Sequence, residues 1–402
     1  MTTPAEAYQQ RLLETAQRIF DRKPVPEAIA QAFLATPRHR FINRFRTYDH
    51  QAWVTVNEEN LDEHLSTLYS DQALRLVEDE KGETVSSISQ PSLVLYMLYM
   101  LQLEPGQTIF ELGAGSGWNA ALMGHLVGPH GRVYSTEILP GQAQEAANNI
   151  AALGIDNVHV IATDGGAGYA AGAPFDRVIF TAGTYDLPHF FYDQIKDGGL
   201  LLVVIKIEGG GDTLFLLKKV ANHFEAIDAL PCGFVPVTGQ YAMTDLNPID
   251  LAAWSAWGQL KTQILFRRPF WWNGKDPDNR WRTIGIRSFL NITEPAYQTF
   301  LEKNPEAPLP ATNYFFGLWL PDSQSLALIR DNQIIAYGNT AAFEQLMSDI
   351  HRWVDWGMPI AACYNLAVYP ADQPLTVQEN QWLMPRHESN FLWSLPFQGN
   401  SG

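Results

Sequence analysis

The sequence predicts an α/β fold in which a parallel β-sheet is covered by helices on both faces. The first observation is a regular alternation of apolar strand segments and helical segments between residues 81 and 240. The second is that these strand segments are apolar along their whole length, which is typical of parallel strands buried on both faces. The third is a glycine-rich turn, GAGSG, directly after the first strand, at the edge where α/β sheets bind ligands.

Three regions are expected along the chain: a helical N-terminal region (1–80), the α/β core (81–240) and a C-terminal α+β domain (241–402). Apolar residues with a helical period predict a helix that includes residues 12–20, and a second helix is expected at 26–35. The apolar segment LVLYMLYMLQL, which is too short to span a bilayer, predicts a buried helix.

The core elements follow in strict alternation. Helices are expected at residues 118–127 and 140–153, after the first and second strands. The five strands are predicted, in chain order, at TIFELG, GRVYSTEI, VHVIATDG, FDRVIFTAG and GGLLLVVIKIE. Connections between parallel strands of one sheet are expected to be right-handed.

The C-terminal region has a different composition, with ten of the twelve tryptophans beyond residue 240. NPIDLAAWSAWGQLKTQILF predicts a helix with Asn247 as its cap and Pro248 at its first position. YFFGLWL, SLALIRD and QIIAYG predict short strands, and TAAFEQLMSDIHRWVDWG predicts a long helix that ends at Gly357. IAACYNLAVYP is expected to be the last strand. The tryptophans are expected to fill the core of this domain, with aromatic anchors for a bound peptide as the alternative.

Charge and composition exclude several classes of protein. The formal net charge of −16 argues against a general nucleic-acid or membrane binder, because such proteins need basic surfaces. The basic segment PRHRFINRFR is interpreted as a solvated helix face. Two widely separated cysteines and the absence of metal-ligand spacing among the ten histidines predict neither a disulfide framework nor a metal site. The N-terminus has no apolar signal core, so a cytoplasmic location is expected.

The glycine turn narrows the choice of ligand. Its three glycines are Gly113, Gly115 and Gly117. A phosphate-binding Walker loop would require a lysine that is absent here, and a dinucleotide site would have a third glycine where Trp118 stands. The bare backbone remains suited to the carboxypropyl end of S-adenosylmethionine.

Acidic residues at the ends of the next two strands support the same ligand. Glu137 ends the second strand, where a carboxylate can accept both ribose hydroxyls, and Asp164 ends the third, where it can meet the adenine amine. Taken singly, Glu137 is also compatible with a solvated charge and Asp164 with a turn former. Three such signals at one edge of the sheet favour a nucleoside site.

Several segments together resemble the protein-L-isoaspartate O-methyltransferases. They are TPRHRF, SSISQP, FELGAGSGW, VYSTEI, NVHVIATDG, APFDRVIFTAG, IKDGGLLLVVI and FVPVTG. They occur in the order and spacing of that family and cover roughly residues 25–240. The resemblance implies a Rossmann-like class I methyltransferase sheet, with N-terminal helices before it and the α+β domain after it.

The resemblance also implies an activity and the residues that carry it. The family uses S-adenosylmethionine to methylate the free carboxylate of an isoaspartyl residue, as in protein repair. By resemblance, Ser89 meets the acceptor carboxylate and Ser87 stands where the family usually has threonine. Ser89 can alternatively cap the helix that starts at Pro91. The residues implied to hold the cofactor are Glu111 (near the methionine amine), Gly113, Gly115, Gly117, Glu137, Ile138, Asp164 and Gly165.

This chemistry requires neither a metal nor a general base. A carboxylate is already anionic at neutral pH, so the enzyme mainly has to align it with the donor. Full activity of the family needs only the first 240 residues or so, and the remaining part resembles the C-terminal region of methyltransferases that tailor ribosomally made peptides. The expected partner is therefore an isoaspartyl- or aspartyl-containing protein or peptide, without nucleic acid or membrane. A protein that binds S-adenosylmethionine without transferring its methyl group is the other alternative.

Overall fold

The computed structural model describes residues 3–49, 52–207, 211–242, 248–270, 277–304 and 311–395. Within these residues the α-helices are α1 (Pro4–Ala16), α2 (Glu27–Ala35), α3 (Leu61–Leu68), α4 (Pro91–Leu101), α5 (Trp118–Val127), α6 (Pro140–Ala151), α7 (Phe190–Gln194), α8 (Trp257–Leu260), α9 (Pro277–Thr293) and α10 (Ala341–Asp355).

The strands within the same residues are β1 (Arg44–Phe45), β2 (Val54–Thr55), β3 (Leu74–Glu78), β4 (Thr84–Ile88), β5 (Thr108–Leu112), β6 (Arg132–Glu137), β7 (Val158–Ala162), β8 (Phe175–Thr184), β9 (Ile195–Ile205), β10 (Thr213–Val220), β11 (His223–Pro231), β12 (Ile249–Asp250), β13 (Ile264–Pro269), β14 (Tyr297–Asn304), β15 (Ala311–Leu320), β16 (Ser325–Arg330), β17 (Gln333–Tyr337), β18 (Asn365–Pro370), β19 (Gln381–Pro385) and β20 (Ser389–Ser394).

The central sheet has ten strands in the order β19-β20-β18-β11-β10-β9-β8-β5-β6-β7. Strands β9, β8, β5, β6 and β7 are parallel, and the other neighbours pair in antiparallel fashion. The chain runs from β5 outward to β7 and then returns to β8 on the other side of β5. The resulting crevice at the carboxyl ends of β5 and β8 is where open α/β sheets bind ligands. The five predicted core strands and the α/β class are confirmed.

The N-terminal region packs on the helices of the core. Helix α1 contacts α4, and α2 contacts α5. Helix α4 is apolar on nearly all sides and most of its residues are buried, as its sequence predicts. Strands β3 and β4 form a separate antiparallel ribbon in which Arg75 lies opposite Ser87. This ribbon leads directly into the segment before α4.

The C-terminal region contains a second sheet of six strands in the order β12-β14-β15-β16-β17-β13. Helices α9 and α10 cover one face of this sheet and form an apolar core with it. A second cluster, which includes Trp254, Trp257 and Trp319, covers the other face. The strands predicted at YFFGLWL, SLALIRD and QIIAYG and the helix that ends before Gly357 are all present.

Strands from the end of the chain join the central sheet rather than the second one. β18 pairs with β11, and β20 and β19 extend the sheet beyond it. The expected boundary at residue 240 therefore does not separate two sheets. IAACYNLAVYP is not the last strand: residues 361–363 form a 3-10 turn, β18 follows, and two more strands come after it.

The helix predicted at NPIDLAAWSAWGQLKTQILF is wrong. The segment forms the short strand β12, a turn, the single-turn helix α8 and strand β13, while its expected cap, Asn247, lies outside the described residues. Tertiary contacts decide this, because β13 pairs with β17 and Trp257 packs against Tyr337. Helix propensity is a weak preference that such packing overrides.

Two other expectations concern individual side chains. The segment PRHRFINRFR is not a solvated helix face, because Arg38 is fully buried at the start of a 3-10 turn. Trp353 and Trp393 are buried, in agreement with a core role for tryptophans in this region. Among the described helices, none is long and apolar enough to cross a membrane.

Candidate active site

A cavity lies at the carboxyl ends of β5 and β8. It encloses about 900 Å³ of space between protein atoms, open solvent included. The turn after β5, the ends of β6 and β8, the turn after β7, strand β4 and the segment 235–238 contribute its walls. Six separate parts of the chain thus meet at one edge of the sheet.

The glycine turn follows β5 in a conformation that side chains rarely adopt. Gly113 has φ of +95°, and a Cβ there would lie 2.5 Å from Thr181 Oγ1. The one proton of that hydroxyl is shared between the carbonyls of Leu112 (2.9 Å) and Gly113 (2.5 Å), which fixes the turn to the end of β8. Gly115 has φ of +53°, and a Cβ there would face the backbone of Ser87 at 3.6 Å. The bare backbone therefore faces the cavity between β5 and β4.

Glu137 is the acidic residue at the end of β6, and it is only 6% exposed. Its Oε2 accepts a hydrogen bond from the backbone N–H of Gly115 (2.9 Å), and its Oε1 accepts one from the N–H of Leu139 (3.1 Å). Burial raises the pKa of Glu137, while these N–H donors lower it. Each oxygen keeps capacity for a further donor, which suits a pair of neighbouring hydroxyls.

Asp164 follows β7 and also lines the cavity. Its Oδ1 accepts from the N–H of Gly166 (2.9 Å) and its Oδ2 from the N–H of Gln240 (2.8 Å). Asp164 thereby both caps the short 3-10 helix Gly165–Ala167 and attaches residue 240 to the sheet. Gly165 and Ile138 lie beside it in the cavity wall. The turn-forming role is present, and a ligand amine would be an additional partner.

Two of the residues predicted to bind the cofactor do not line the cavity. Glu111 is fully buried and accepts hydrogen bonds from Ser135 (2.5 Å) and Asn119 (2.7 Å). Burial raises the pKa of Glu111 to about 7. Asn119, not Glu111, reaches the cavity wall. Gly117 lies at the start of α5 with φ of +85° and packs against Ala146 of α6.

Ser87 and Ser89 enter the cavity from β4 and the segment that follows it. This segment is held by Arg38, whose Nη2 donates to the carbonyls of Gln72 (2.9 Å) and Ser89 (3.1 Å). Complete burial lowers the pKa of Arg38 to about 9. A buried guanidinium that bonds to backbone carbonyls fixes the course of the chain where Ser89 is presented.

Asp71 holds the same segment from its other side. Its carboxylate accepts hydrogen bonds from the Ser92 N–H (2.9 Å), the Ser92 hydroxyl (2.8 Å) and the side-chain amide of Gln90 (3.1 Å). Asp71 therefore caps α4, and the alternative that Ser89 caps this helix is wrong. The Ser89 hydroxyl has no hydrogen-bond partner within the described residues, and Ser89 lines the cavity.

A second cavity, which we call the outer groove, adjoins the cavity described above, which we call the inner cavity. Both are lined by Ser87, Ser89, Thr181 and Val235. The outer groove continues to the turn after α1, the loop after β1, the β3–β4 ribbon, the start of β10 and the segment after β11. The residues that line it there include Ile19, Tyr48, Arg75, Glu83, Asp212, Cys232 and Phe234. A ligand in the inner cavity and a chain in the outer groove would therefore meet at the two serines.

A family model described as protein-L-isoaspartate (D-aspartate) O-methyltransferase matches residues 10–242. The chain belongs to this family. Its members are class I methyltransferases with S-adenosylmethionine as methyl donor. The match includes all residues that line the inner cavity and the outer groove. It ends before β12, the first strand of the second sheet.

Individual relatives agree with the family. The protein-L-isoaspartate O-methyltransferase of Syntrophotalea carbinolica is 31% identical over 58% of this chain and 94% of its own length. That of Ignicoccus hospitalis is 38% identical over 39% of this chain and 72% of its own. A solved structure titled protein-L-isoaspartate O-methyltransferase has a TM-score of 0.52 and 22% identity, and covers 89% of this chain and 96% of its own. Its likeness in fold extends well beyond residue 242.

The residues of the inner cavity fit such a donor. A Cβ at Gly113 would collide with Thr181, so the packing of this turn against the end of β8 depends on glycine. Glu137 and Asp164 place two carboxylates in the wall, which complements a cationic sulfonium compound with ribose hydroxyls and an amine. Gly113, Gly115, Glu137 and Asp164 are therefore the residues that would hold it, with Ile138 and Gly165 beside them.

Three residues of the site were missed by reasoning from the sequence. Arg38 bonds to the Ser89 carbonyl, and Asp71 bonds to the neighbouring Gln90 and Ser92. Although Arg38 lies in the segment TPRHRF, nothing local to either residue indicates these contacts. Thr181 had a signal, since it follows the apolar part of β8 at the same edge as the glycine turn. A hydroxyl at the end of a parallel strand beside a glycine turn is a candidate for fixing that turn.

Proposed function

We propose that this protein transfers the methyl group of S-adenosylmethionine to the free carboxylate of an isoaspartyl residue in a protein or peptide. The observation that carries the proposal is the position of Ser87 and Ser89, which line both the inner cavity and the outer groove. Family membership supplies the reaction type. The bound donor supplies an electrophilic methyl group on a sulfonium.

The chain's own residues act by orientation. The hydroxyl of Ser89 is available as a donor to the acceptor carboxylate, because it makes no other hydrogen bond within the described residues. Ser87 lies two positions earlier on the same ribbon and provides a second hydroxyl. Orientation of this kind can lower the barrier by roughly 7–11 kcal/mol, so two hydroxyls on a fixed backbone segment and a shaped groove are sufficient means.

No proton has to be removed from the acceptor. An ordinary carboxyl group is ionised at neutral pH, with a pKa of about 4. Among the described residues that line the two cavities there is no histidine. A methyl donor and an acceptor that fill the cavity displace its water, and the attraction between carboxylate and sulfonium is stronger in such a site.

Methyl transfer to paired peptides tests the proposal. The purified protein is incubated with donor carrying a radiolabelled methyl group and with two neutral peptides that differ only in aspartate or isoaspartate. We expect base-labile label on the isoaspartyl peptide alone, since a methyl ester hydrolyses in base. Label on the aspartyl peptide, followed by succinimide, would instead indicate a tailoring enzyme. Donor binding without transfer to either peptide would contradict the proposal.

A further inference from the structure

The outer groove carries a cationic side chain that methyl transfer itself does not require. Arg75 lies opposite Ser87 in the β3–β4 ribbon, so their side chains emerge on the same face of it. Arg75 also lines the outer groove, whereas it does not line the inner cavity. It is thus placed beside the point of transfer, on the side where an acceptor chain would extend.

The guanidinium of Arg75 is fixed but incompletely bonded. Its Nη1 lies 3.0 Å from Glu78 Oε1, and its Cζ lies 4.4 Å from the centre of the Tyr48 ring. Its Nε is buried without a hydrogen-bond partner, and the Nη2 makes no hydrogen bond with the described residues. The Nη2 therefore keeps its protons for a charge-assisted hydrogen bond to a carboxylate in the groove, beside the buried Nε. A buried polar atom without a partner calls for a ligand or a water molecule.

The other charged groups of the outer groove leave the guanidinium of Arg75 as its available cation. Asp212 is bonded to Lys206, with Nζ 2.6 Å from Oδ2. Glu83 is exposed at the turn of the ribbon and is screened by water. Among the described residues that line the groove, Arg75 is the one with a positive charge.

We propose that Arg75 reads a carboxylate side chain near the isoaspartyl residue, so that the preferred acceptors are acidic peptide segments. This inference rests on the function proposed above. Glu78, to which the guanidinium is bonded, pairs with Thr84, three residues before Ser87. Three residues of an extended strand span about 10 Å, so the recognised carboxylate lies two or three residues from the methylated one.

Matched isoaspartyl peptides test this specificity. The neutral peptides carry glutamine two or three residues before or after the isoaspartate, and the others carry glutamate or lysine at the same position. For the wild-type protein we expect kcat/KM about five- to tenfold higher with glutamate than with its glutamine counterpart at one of these positions, mainly through KM. The ratio should fall towards one as salt rises from about 50 to about 500 mM, because salt screens exposed charge pairs.

Three variants assign the effect. Arg75→Gln should abolish the preference, Arg75→Glu should reverse it in favour of lysine, and Arg75→Lys should keep part of it. Arg44→Gln is the control, because Arg44 belongs to the neighbouring strand, stacks on Trp53 at 4.3 Å and does not line the groove. Donor affinity and the melting temperature of each variant show that it is folded.

The outcomes separate this inference from the proposed function. If the wild-type protein methylates neutral and acidic isoaspartyl peptides equally at low salt, the role of Arg75 is wrong and the function stands. The same conclusion follows if Arg75→Gln keeps the wild-type ratio. If the wild-type protein methylates no isoaspartyl peptide at all, the proposed function fails and this inference fails with it. The salt series requires only the wild-type protein and therefore does not depend on the folding of a variant.

Discussion

Ser89 is the side chain with the clearest consequence at the scale of single residues. Its hydroxyl is unpartnered within the described residues, and its backbone carbonyl is held by Arg38. Replacement of Ser89 by alanine removes a hydrogen-bond donor without disturbing that backbone hydrogen bond. The effect should therefore appear in catalysis and not in folding.

We predict that Ser89→Ala lowers kcat by about ten- to a hundredfold while the Kd of the donor stays unchanged. The magnitude corresponds to the loss of one hydrogen bond to a charged group. Single-turnover methyl transfer and calorimetric donor binding measure the two quantities. Ser323→Ala, at an exposed position in a C-terminal turn, is the matched control. Wild-type turnover of Ser89→Ala would exclude an acceptor role for this hydroxyl.

Glu111 illustrates how a buried carboxyl group makes stability depend on pH. Burial raises its pKa in the folded protein to about 7, from an ordinary value of 4.5. The native state therefore binds more protons than the unfolded state between these values. The contribution of the protonated Glu111 to stability is complete below about pH 4.5 and is lost as the pH rises to about 7.

We predict that Glu111→Gln removes this part of the pH dependence. The difference in the free energy of unfolding, variant minus wild type, should rise by about 3 kcal/mol as the pH increases from the lower to the upper end of that range. Chemical denaturation at pH 5, 6, 7 and 8 measures it. Glu14→Gln, at an exposed position on α1, serves as the control. Parallel pH profiles for Glu111→Gln and wild type would show that Glu111 is ionised throughout.

At the scale of elements, the site is made by segments that follow strands and precede helices. The glycine turn between β5 and α5 requires positive φ at Gly113, Gly115 and Gly117. The segment between β4 and α4 depends on a cap from Asp71. Each segment can be tested separately, because one faces the donor and the other faces the acceptor.

For the glycine turn, we predict that Gly115→Val abolishes measurable donor binding. A β-branched residue is strained at φ of +53°, and its side chain would project towards Ser86 and Ser87 across the cavity. Gly141→Ala is the control, because Gly141 lies in α6 with open space around the position of a Cβ. Calorimetric titration with the donor measures both variants. An unchanged Kd for Gly115→Val would contradict the placement of the donor at this turn.

For the segment before α4, we predict that Asp71→Ala lowers stability by about 1–2 kcal/mol and lowers kcat with little change in donor affinity. The stability term is the usual cost of losing a helix cap. The kinetic term arises because Gln90 and Ser92 lose the partner that fixes their position relative to Ser89. Asp71→Asn, which keeps an acceptor for the Ser92 N–H, should restore much of both. Equal kcat in Asp71→Ala and wild type would limit Asp71 to a stabilising role.

At the scale of the whole molecule, the central sheet brings strands from the end of the chain together with the strands of the methyltransferase core. Val368 of β18 lies opposite Phe224 of β11, and Trp393 of β20 packs against Phe215 of β10. The core of the methyltransferase sheet is therefore completed by residues more than 120 positions after the family match ends. Removing the C-terminal region would uncover apolar residues of this core.

We predict that Trp393→Ala destabilises the central sheet by about 3–5 kcal/mol and lowers the melting temperature seen by donor-binding probes. Trp393→Phe should cost much less, because the buried Nε1 of Trp393 has no hydrogen-bond partner among the described residues. Calorimetry and donor-detected melting curves measure both variants. A Trp393→Ala protein whose donor site melts at the wild-type temperature would show that the last strands are independent of the core.

The sequence alone determined the α/β class, the five parallel strands, the glycine turn and the two acidic residues that line the inner cavity, because these features depend on local period and on residue type at strand ends. Only the tertiary structure decided that Glu111 lies inside the protein, that Arg38 and Asp71 hold Ser89, and that β18, β19 and β20 extend the central sheet. The physical reason is that these outcomes depend on contacts between residues distant in sequence, where burial and hydrogen bonding outweigh local preference.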